Sequence, residues 1–204
     1  SSRQTWDFTS LGNHYLKAAV YDSTSSTIYA GQFPASNIYT FGPAEFFGVL
    51  YGGAPVYTGM DGYHFWKCDN NGLKVIGWNA IEGPFANMPV HENPVELLIG
   101  APATYGTTFA DTSRWTLFLG SVPTDIDTTW ITARTKTLTT DAWGQLNTPF
   151  GSFSDVIRIH EHVTETDSII ATLNSVVVYQ MEVRRDISNN YMYLANGIGY
   201  PLAI

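Results

Sequence analysis

The stretch that decides the fold runs from Thr140 to Val163 and reads TDAWGQLNTPFGSFSDVIRIHEHV. It predicts a strand end, a turn over Asp141–Gly144, a short strand, a corner over Thr148–Gly151 and a long strand over Ser152–Thr166. Pro149 fixes φ and has no amide donor, so it ends a strand, and Gly151 permits a tight corner. We expect Phe153 to anchor this corner to the hydrophobic core.

Outside this stretch, apolar and polar residues alternate with a period of two along most of the chain. No long segment has a helical period with capping residues at both ends. About ten short strands separated by turn signals therefore predict an all-β fold. The pattern is typical of an antiparallel β-sandwich or jelly roll, or of a strongly curved half-barrel, and it does not choose among them. We expect one domain spanning residues 1–204.

The clearest local signal is a hairpin in which Tyr63–Cys68 pairs with Leu73–Trp78. Its turn is Asp69-Asn70-Asn71-Gly72, and Asn and Gly both tolerate the positive φ that tight hairpin turns need. We expect Phe65 and Val75 to pack on one face of this hairpin.

Several other segments carry weaker signals. Gln4–Phe8 is expected to form an entry strand with Trp6 and Phe8 on one face. Alternation over Thr128–Thr139 places four side chains on one strand face: Trp130, Thr132, Arg134 and Lys136. The remaining expectations are a loop at Ala80–Asn93, a short strand at Val95–Ile99, a turn at Pro123–Asp127, and closing strands at Ser175–Arg185 and Asn189–Leu194.

Composition excludes some classes of function. The formal net charge is −8, and the ten Lys and Arg residues are scattered along the sequence. Binding to nucleic acid uses clustered cationic side chains, so we expect no nucleic-acid partner. No run approaches the ~18 apolar residues of a membrane span, and no signal peptide is recognisable.

Few residues belong to the types that carry chemistry. The single cysteine, Cys68, cannot form an intramolecular disulfide, and its aromatic neighbours predict a buried apolar side chain rather than a catalytic thiol. His160-Glu161-His162 would point both imidazoles to one side of a strand, but a zinc site takes about three or four ligands. We therefore interpret this motif as a polar strand face. Asp125-Ile126-Asp127 lacks the rest of a calcium loop, and turn chemistry explains both aspartates.

Paired carboxylates for glycoside cleavage need two acidic groups in one cleft, one with a raised pKa. The sequence offers several candidates and pairs none of them: Glu45, Asp61, Glu92, Glu96, Glu161 and Glu165. No nucleophile elbow, phosphate loop or dinucleotide fingerprint occurs. We assign no catalytic residue, no metal and no cofactor, and the binding residues are unknown. Among the tryptophans, Trp143 is expected to lie in a turn and to be exposed.

The deciding stretch also resembles a known pattern. Leu146–Ile159 is similar to a motif of large secreted proteins of Bacteroidota, loosely Gly-x-Leu-x-Thr-Pro-x-Gly-Thr-Phe-x-x-Val-Leu-Arg-Val. Thr5–Leu11 resembles that family's Thr-Trp-Asp-Phe-Ser-x-Leu entry, and Tyr191–Leu202 resembles its aromatic strand and Tyr-Pro-Leu close. Phe33–Ser36 and Gly72–Gly77 fit as well. The resemblance implies the N-terminal β-rich module of proteins exported by the type IX secretion system, with a C-terminal sorting domain not present in these 204 residues. It implies no catalytic residues.

The expected function is therefore that of a secreted or cell-surface, non-enzymatic β-domain. Its role would be structural or adhesive, at an extracellular or outer-surface location, through contact with copies of itself or with other cell-surface proteins. The alternative is a carbohydrate-binding or carbohydrate-cleaving module that uses exposed aromatic side chains. A metal site on the His160/His162 face is a third hypothesis.

Overall fold

The computed structural model describes residues 2–10, 20–44, 48–51, 54–57, 60–82, 86–122, 125–198 and 202. These residues form one 3₁₀ turn at Thr24–Ser26 and the following strands. The strands are β1 (Gln4–Asp7), β2 (Tyr21–Ser23), β3 (Ile38–Ala44), β4 (Gly48–Tyr51), β5 (Ala54–Tyr57), β6 (Met60–Asp69), β7 (Gly72–Ala80), β8 (Val90–Gly100), β9 (Thr108–Val122), β10 (Ile126–Thr148), β11 (Gly151–Leu173) and β12 (Val176–Ala195).

Two five-stranded sheets make up most of the described fold. The long-stranded sheet has the order β1-β10-β11-β12, with β9 also paired to β10, and the facing sheet has the order β2-β3-β6-β7-β8. Strands β4 and β5 form a separate pair. Neighbouring strands are antiparallel, except that β1 runs parallel to β10.

The hydrophobic core lies between the two sheets. Trp78 of β7 and Val90 of β8 pack into one buried cluster with Trp115 of β9 and Trp130 of β10. The rings of Trp78 and Trp115 meet edge to face, with centroids 5.7 Å apart, as aromatic quadrupoles prefer. The all-β prediction is confirmed, and two sheets packed face to face make the fold a β-sandwich.

The strands of the long-stranded sheet are much longer than the sequence pattern indicates. Strands β9 to β12 have 15, 23, 23 and 20 residues. The predicted turn over Asp141–Gly144 is wrong, because β10 continues through it with register shifts at Thr140/Ala142 and Gly144/Leu146. A β-bulge absorbs an extra residue without ending the strand. The two predicted closing strands form the single strand β12, because residues 186–188 between them stay paired with β11 in regular register.

The corner at Thr148–Gly151 is confirmed. Strand β10 ends at Thr148, β11 begins at Gly151, and Gly151 has a φ of 150°. Phe153 packs against a buried cluster that includes Leu146 and Tyr193, so it anchors the corner as expected.

The predicted entry strand is confirmed as β1. The rings of Trp6 and Phe8 both meet Tyr193 edge-on, with centroids 5.1 and 5.2 Å away. The two side chains therefore share one face, as the alternation predicted.

The predicted hairpin is confirmed as β6 and β7, which close at Asp69 and Gly72. A register shift after Phe65 places Phe65 opposite Gly77 and Trp66 opposite Val75, so the expected Phe65–Val75 contact is wrong. Cys68 is exposed rather than buried, and it lies next to the hairpin's turn, where the side chain of Asn37 bonds its backbone amide and carbonyl.

Strand β8 begins inside a predicted loop and replaces its last four residues, 90–93. The chain becomes extended at Val90 rather than Val95, and the peptide bond between Asn93 and Pro94 is cis. In the ladder with β7, Gly77 pairs with His91 and Val75 pairs with Glu96. The residues 92–95 of β8 therefore lie opposite the single residue Ile76, and they have no regular partners in β7.

A substitution at Gly144 tests the parallel docking of β1. A Cβ atom at Gly144 would overlap the backbone carbonyl of Gln4, its partner in β1. We expect Gly144→Ala to displace β1 and to lower the free energy of unfolding by about 1–3 kcal/mol, measured by urea denaturation. Gly42→Ala in β3 is the matched control, since a Cβ there meets nothing within 4 Å. Equal stability of the two variants would contradict this account of β1.

Candidate functional site

Charged side chains occupy the middle of the sandwich, between the two sheets. The predicted alternation of Trp130, Thr132, Arg134 and Lys136 is confirmed, and this face of β10 points toward the facing sheet. Lys136 is only 2% exposed. A buried ammonium group is costly unless carboxylates and hydrogen bonds surround it, so its partners define the site.

The partners of Lys136 and Arg134 come from both sheets. Lys136 Nζ lies 2.7 Å from Glu96 Oε1 of β8 and 3.1 Å from Glu161 Oε1 of β11. Arg134 donates from Nη1 to Glu96 Oε2 over 2.8 Å and from Nε to Glu165 Oε2 over 2.6 Å. Glu96 therefore binds both cations, and it ties β8 of the facing sheet to the centre of the long-stranded sheet.

The ionic contacts continue to the edge strand β12. Arg184 bonds Glu165 and also lies 3.2 Å from a carboxylate oxygen of Asp167. Asp167 in turn accepts a hydrogen bond from the hydroxyl of Thr132 over 2.6 Å. On the other side, Asn190 of β12 donates to Glu161 over 2.8 Å. These charged groups form one network, which we call the ionic cluster. Its nine members are Glu92, Glu96, Asp111, Arg134, Lys136, Glu161, Glu165, Asp167 and Arg184.

Two neighbouring glutamates of this ionic cluster have pKa values that are shifted in opposite directions. Burial raises the pKa of Glu92 to about 8, and the nearby negative charge of Glu96 adds to this effect. Burial also acts to raise the pKa of Glu96, but Lys136 and Arg134 outweigh burial and leave that pKa below its ordinary value. Glu92 lies 3.7 Å from Arg134, and its Oε2 has no hydrogen-bond partner among the described residues.

The structure brings four of the six candidate carboxylates together: Glu92, Glu96, Glu161 and Glu165. Asp61 is in β6, with its backbone amide bonded to Glu82, and Glu45 lies outside the described residues. A pair with separated pKa values is typical of acid–base catalysis. Here the Glu92 side chain is only 3% exposed, and the groove of about 280 Å³ beside Lys74 and Asp111 is not lined by the four glutamates. Glu92, the member with the raised pKa, is thus closed to solvent in this arrangement.

The histidine motif lies on the opposite face of β11, away from the facing sheet. His160 Nε2 and His162 Nδ1 lie 3.0 and 3.1 Å from the same atom, Asn189 Oδ1, so both imidazoles point the same way as predicted. Glu161, between them, points inward to Lys136. No group of three or more metal-binding side chains forms anywhere in the described part of the chain, which includes His160 and His162.

The acidic turn between β9 and β10 has an ordinary structural explanation. Asp125 adopts a φ of 58°, as turn aspartates can, and Asp127 accepts a hydrogen bond from Ser121 over 2.6 Å. Pro123 and Thr124 of this predicted turn lie outside the described residues.

A nearly continuous run of exposed apolar side chains lies on β12. Its first half carries five side chains that are between 43% and 64% exposed: Val176, Val177, Val178, Tyr179 and Met181. β12 is the last strand of its sheet and pairs only with β11 among the described strands. Trp143 is exposed as predicted, at 40%, although it lies within β10 rather than in a turn.

Sequence reasoning listed the four glutamates but missed the ionic cluster and the edge strand. One signal for the cluster was present, since the row Trp130, Thr132, Arg134, Lys136 and Leu138 begins and ends with large apolar side chains. A signal for the edge was the uncharged run Val176–Met181, which has no proline.

Comparisons with known proteins provide no identification. No family model, no curated protein and no solved structure matches the chain. Among the described residues, no helix has the length and apolar character that crossing a membrane requires. The fold, the ionic cluster and the exposed apolar edge of β12 are therefore the basis for any functional conclusion.

Proposed function

We propose that this chain is a non-enzymatic β-domain with a structural or adhesive role, which acts by strand-to-strand contact with a second copy of itself. The observation that carries this proposal is the exposed apolar edge of β12. An unpaired edge strand presents a row of backbone donors and acceptors to any strand that approaches it. Apolar side chains on that edge add a favourable burial term to the backbone hydrogen bonds.

The length of the proposed contact follows from the irregularities of β12. Its register with β11 shifts once at Ala171/Thr172 and again at Asp167/Ser168, which leaves Val178 and Val183 as the extra residues. Bulges and charged residues both limit edge pairing, and Arg184, Arg185 and Asp186 follow directly. Pairing would therefore centre on Val176–Met181, interrupted at the bulge of Val178, and would stop before the charged segment. A contact that is confined to this short segment favours a closed dimer over an open-ended stack of copies.

The proposed location is extracellular or on the outer cell surface. It is supported by the sequence resemblance to secreted modules that use the type IX system. A β-sandwich whose surface relies on hydroxyl and amide groups, with charged residues at only 14%, suits contact with other surface proteins as well. Detection of the chain in the culture medium or on intact cells by surface labelling would support this location. Exclusive recovery from lysed cells would contradict it.

Lysine substitutions on the edge test the self-contact. We expect the unmodified protein to shift from monomer to dimer as concentration rises in sedimentation experiments. Val177→Lys together with Tyr179→Lys should hold the chain monomeric, because two approaching edges would then bring like charges together. Ile187→Lys is the matched control, since Ile187 is equally exposed on β12 but lies beyond the charged segment. A monomer at every concentration of the unmodified protein would contradict self-assembly.

Glycan binding is a second candidate, supported by the outer face of β11 and β12. His160 stacks on the exposed Tyr191 with ring centroids 4.8 Å apart, and the Arg158 guanidinium lies 4.9 Å from the same ring. Aromatic rings with neighbouring amide and hydroxyl groups are common in sugar sites. A glycan array in which Tyr191→Ala loses the bound glycans would support this candidate. An array without any bound glycan, on folded protein, would contradict it.

A further inference from the structure

The part of the ionic cluster that carries Glu92 is also the least regular part of β8. Between the pairs Gly77–His91 and Val75–Glu96, the residues 92–95 have no ladder partners of their own in β7. Backbone hydrogen bonds therefore hold this segment less firmly than the flanking parts of β8. The Glu92 side chain is the buried part of this segment, since Glu92 is 5% exposed as a whole residue, whereas Asn93, Pro94 and Val95 are exposed.

Negative charge exceeds positive charge around this segment. Six carboxylates, Glu92, Glu96, Asp111, Glu161, Glu165 and Asp167, surround three cations, Arg134, Lys136 and Arg184. Each cation has two carboxylates closer than Glu92. Glu96 and Glu165 hold Arg134, Glu96 and Glu161 hold Lys136, and Glu165 and Asp167 hold Arg184.

Two of the six carboxylates are thus left without a close counter-ion, namely Asp111, whose Oδ2 accepts from the backbone amide of Leu97, and Glu92. The nearest cation contact of Glu92 is Arg134 Nη1, at 3.7 Å, and that guanidinium is already bonded by Glu96 and Glu165. Its Oε2 has no hydrogen-bond partner among the described residues, and neither has the buried hydroxyl of Ser113, which lies opposite Arg134 in the ladder of β9 and β10. A charged carboxylate at this position lacks the close cation and the hydrogen bonds that would offset the cost of its burial, whereas a neutral carboxyl group can remain buried.

We propose that the segment 92–95 of β8 is a proton-operated latch between the two sheets. With its proton bound, Glu92 stays inside and the segment closes over Arg134. When the proton leaves to solvent base, the uncompensated carboxylate draws the segment outward into water, because β7 offers no ladder to retain it. The latch does not depend on pairing at the β12 edge.

The surrounding charges set the direction of the response. From β8 itself, Glu96 faces Glu92, and from β9, Asp111 adds a second negative charge. From β10, Arg134 and Lys136 act in the opposite direction. Glu161, Glu165 and Asp167 of β11, with Arg184 of β12, lie behind these two cations. Burial outweighs the cations, so the pKa of Glu92 stands at about 8 and the latch opens as the solution becomes alkaline.

Carbon-13 NMR of the full chain, with labelled glutamate carboxyl groups, tests this proposal. Through-bond correlation of the side-chain carboxyl carbon with the backbone amide of residue 92 identifies its signal in the unmodified protein, and loss of that signal in Glu92→Gln checks the assignment. In the unmodified protein we expect its titration midpoint near 8, against the ordinary 4.5. The backbone amide signals of residues 92, 93 and 95 should change with the same midpoint, while those of the β6–β7 hairpin should not. In Glu92→Gln these amide changes should disappear, and the exposed Glu182→Gln should retain them.

Three results would overturn the latch. A midpoint in the ordinary range of glutamate would show that Glu92 is not held protonated. A high midpoint without amide changes in the segment would show that proton loss moves nothing. Persistence of the same changes in Glu92→Gln would assign them to another group. The first two results come from the unmodified protein, so they remain decisive even if the variant fails to fold. None of them bears on the oligomeric state that tests the proposed function.

Discussion

Replacement of Lys136 by methionine should be strongly destabilising. Methionine matches the length of the lysine stem but removes the ammonium group that contacts Glu96 and Glu161. Removing one partner of a buried ion pair typically costs about 3–5 kcal/mol, because the other charge stays buried without compensation. We expect a loss of this size in the free energy of unfolding, measured by urea denaturation at neutral pH, with a lower thermal midpoint.

Two further variants separate this effect from packing. Lys67→Met is the matched control, since Lys67 makes a 3.7 Å contact to Asp69 on the exposed hairpin, where such pairs contribute little. Glu161→Gln in the Lys136→Met background should recover part of the loss, because it removes one uncompensated charge and can still accept from Asn190. A loss as small as that of Lys67→Met would mean that the ionic cluster is not what holds the sheets together here.

The elements that the sequence predicted correctly are those fixed by neighbours along the chain. The β6–β7 hairpin closes at Gly72, which has a φ of 128°, and the β10–β11 corner depends on Pro149 and Gly151. Alternation likewise placed the side chains of β10 on the correct faces. These signals act over a few residues and do not require knowledge of the partner strand.

The bulges are where local signals failed. Asp141 and Gly144 have turn-forming composition, yet the neighbouring strands of a wide sheet hold the chain extended through both. Position 144 requires a glycine for a different reason, because the backbone of β1 approaches it too closely for a side chain. A single sequence does not distinguish a glycine required by a turn from one required by a close neighbouring strand.

The ionic cluster was beyond sequence reasoning for an energetic reason. In the sequence, Arg134 and Lys136 are typical of a strand face that is exposed to solvent. They can be buried only because carboxylates from distant strands pair with them. Glu96 is 38 residues from Arg134 and 40 residues from Lys136, and its position depends on how the facing sheet packs. The six candidate carboxylates were visible as residues, but their pairing was a property of the assembled sandwich.

Stability of the unmodified protein should fall between mildly acidic and mildly alkaline pH because of Glu92. Its pKa is about 8 in the folded chain and close to 4.5 in the unfolded chain, so the folded state holds more protons between these values. The contribution of this proton is fully present below about pH 4.5 and is lost as pH rises through 8. One pKa unit corresponds to about 1.4 kcal/mol, so the loss from this group is at most about 5 kcal/mol.

Other members of the ionic cluster also change how the stability depends on pH. Burial raises the pKa of Asp167, so its contribution is also lost as pH rises. The pKa of Glu96 lies below its ordinary value because Lys136 and Arg134 outweigh burial, and its contribution is lost as pH falls. Asp167 therefore acts in the same direction as Glu92, and Glu96 acts in the opposite direction.

Glu92→Gln isolates this group, because glutamine has nearly the same shape and cannot ionise. Urea denaturation at a series of pH values should give similar stabilities for the variant and the unmodified protein near pH 5. At pH 9 the variant should be more stable by a few kcal/mol, about the contribution that the unmodified protein has lost with the proton of Glu92. The exposed Glu182→Gln should follow the unmodified protein throughout. Parallel curves for Glu92→Gln and the unmodified protein would mean that Glu92 is charged in the folded chain, and that the cluster compensates a carboxylate which its geometry leaves without a close cation.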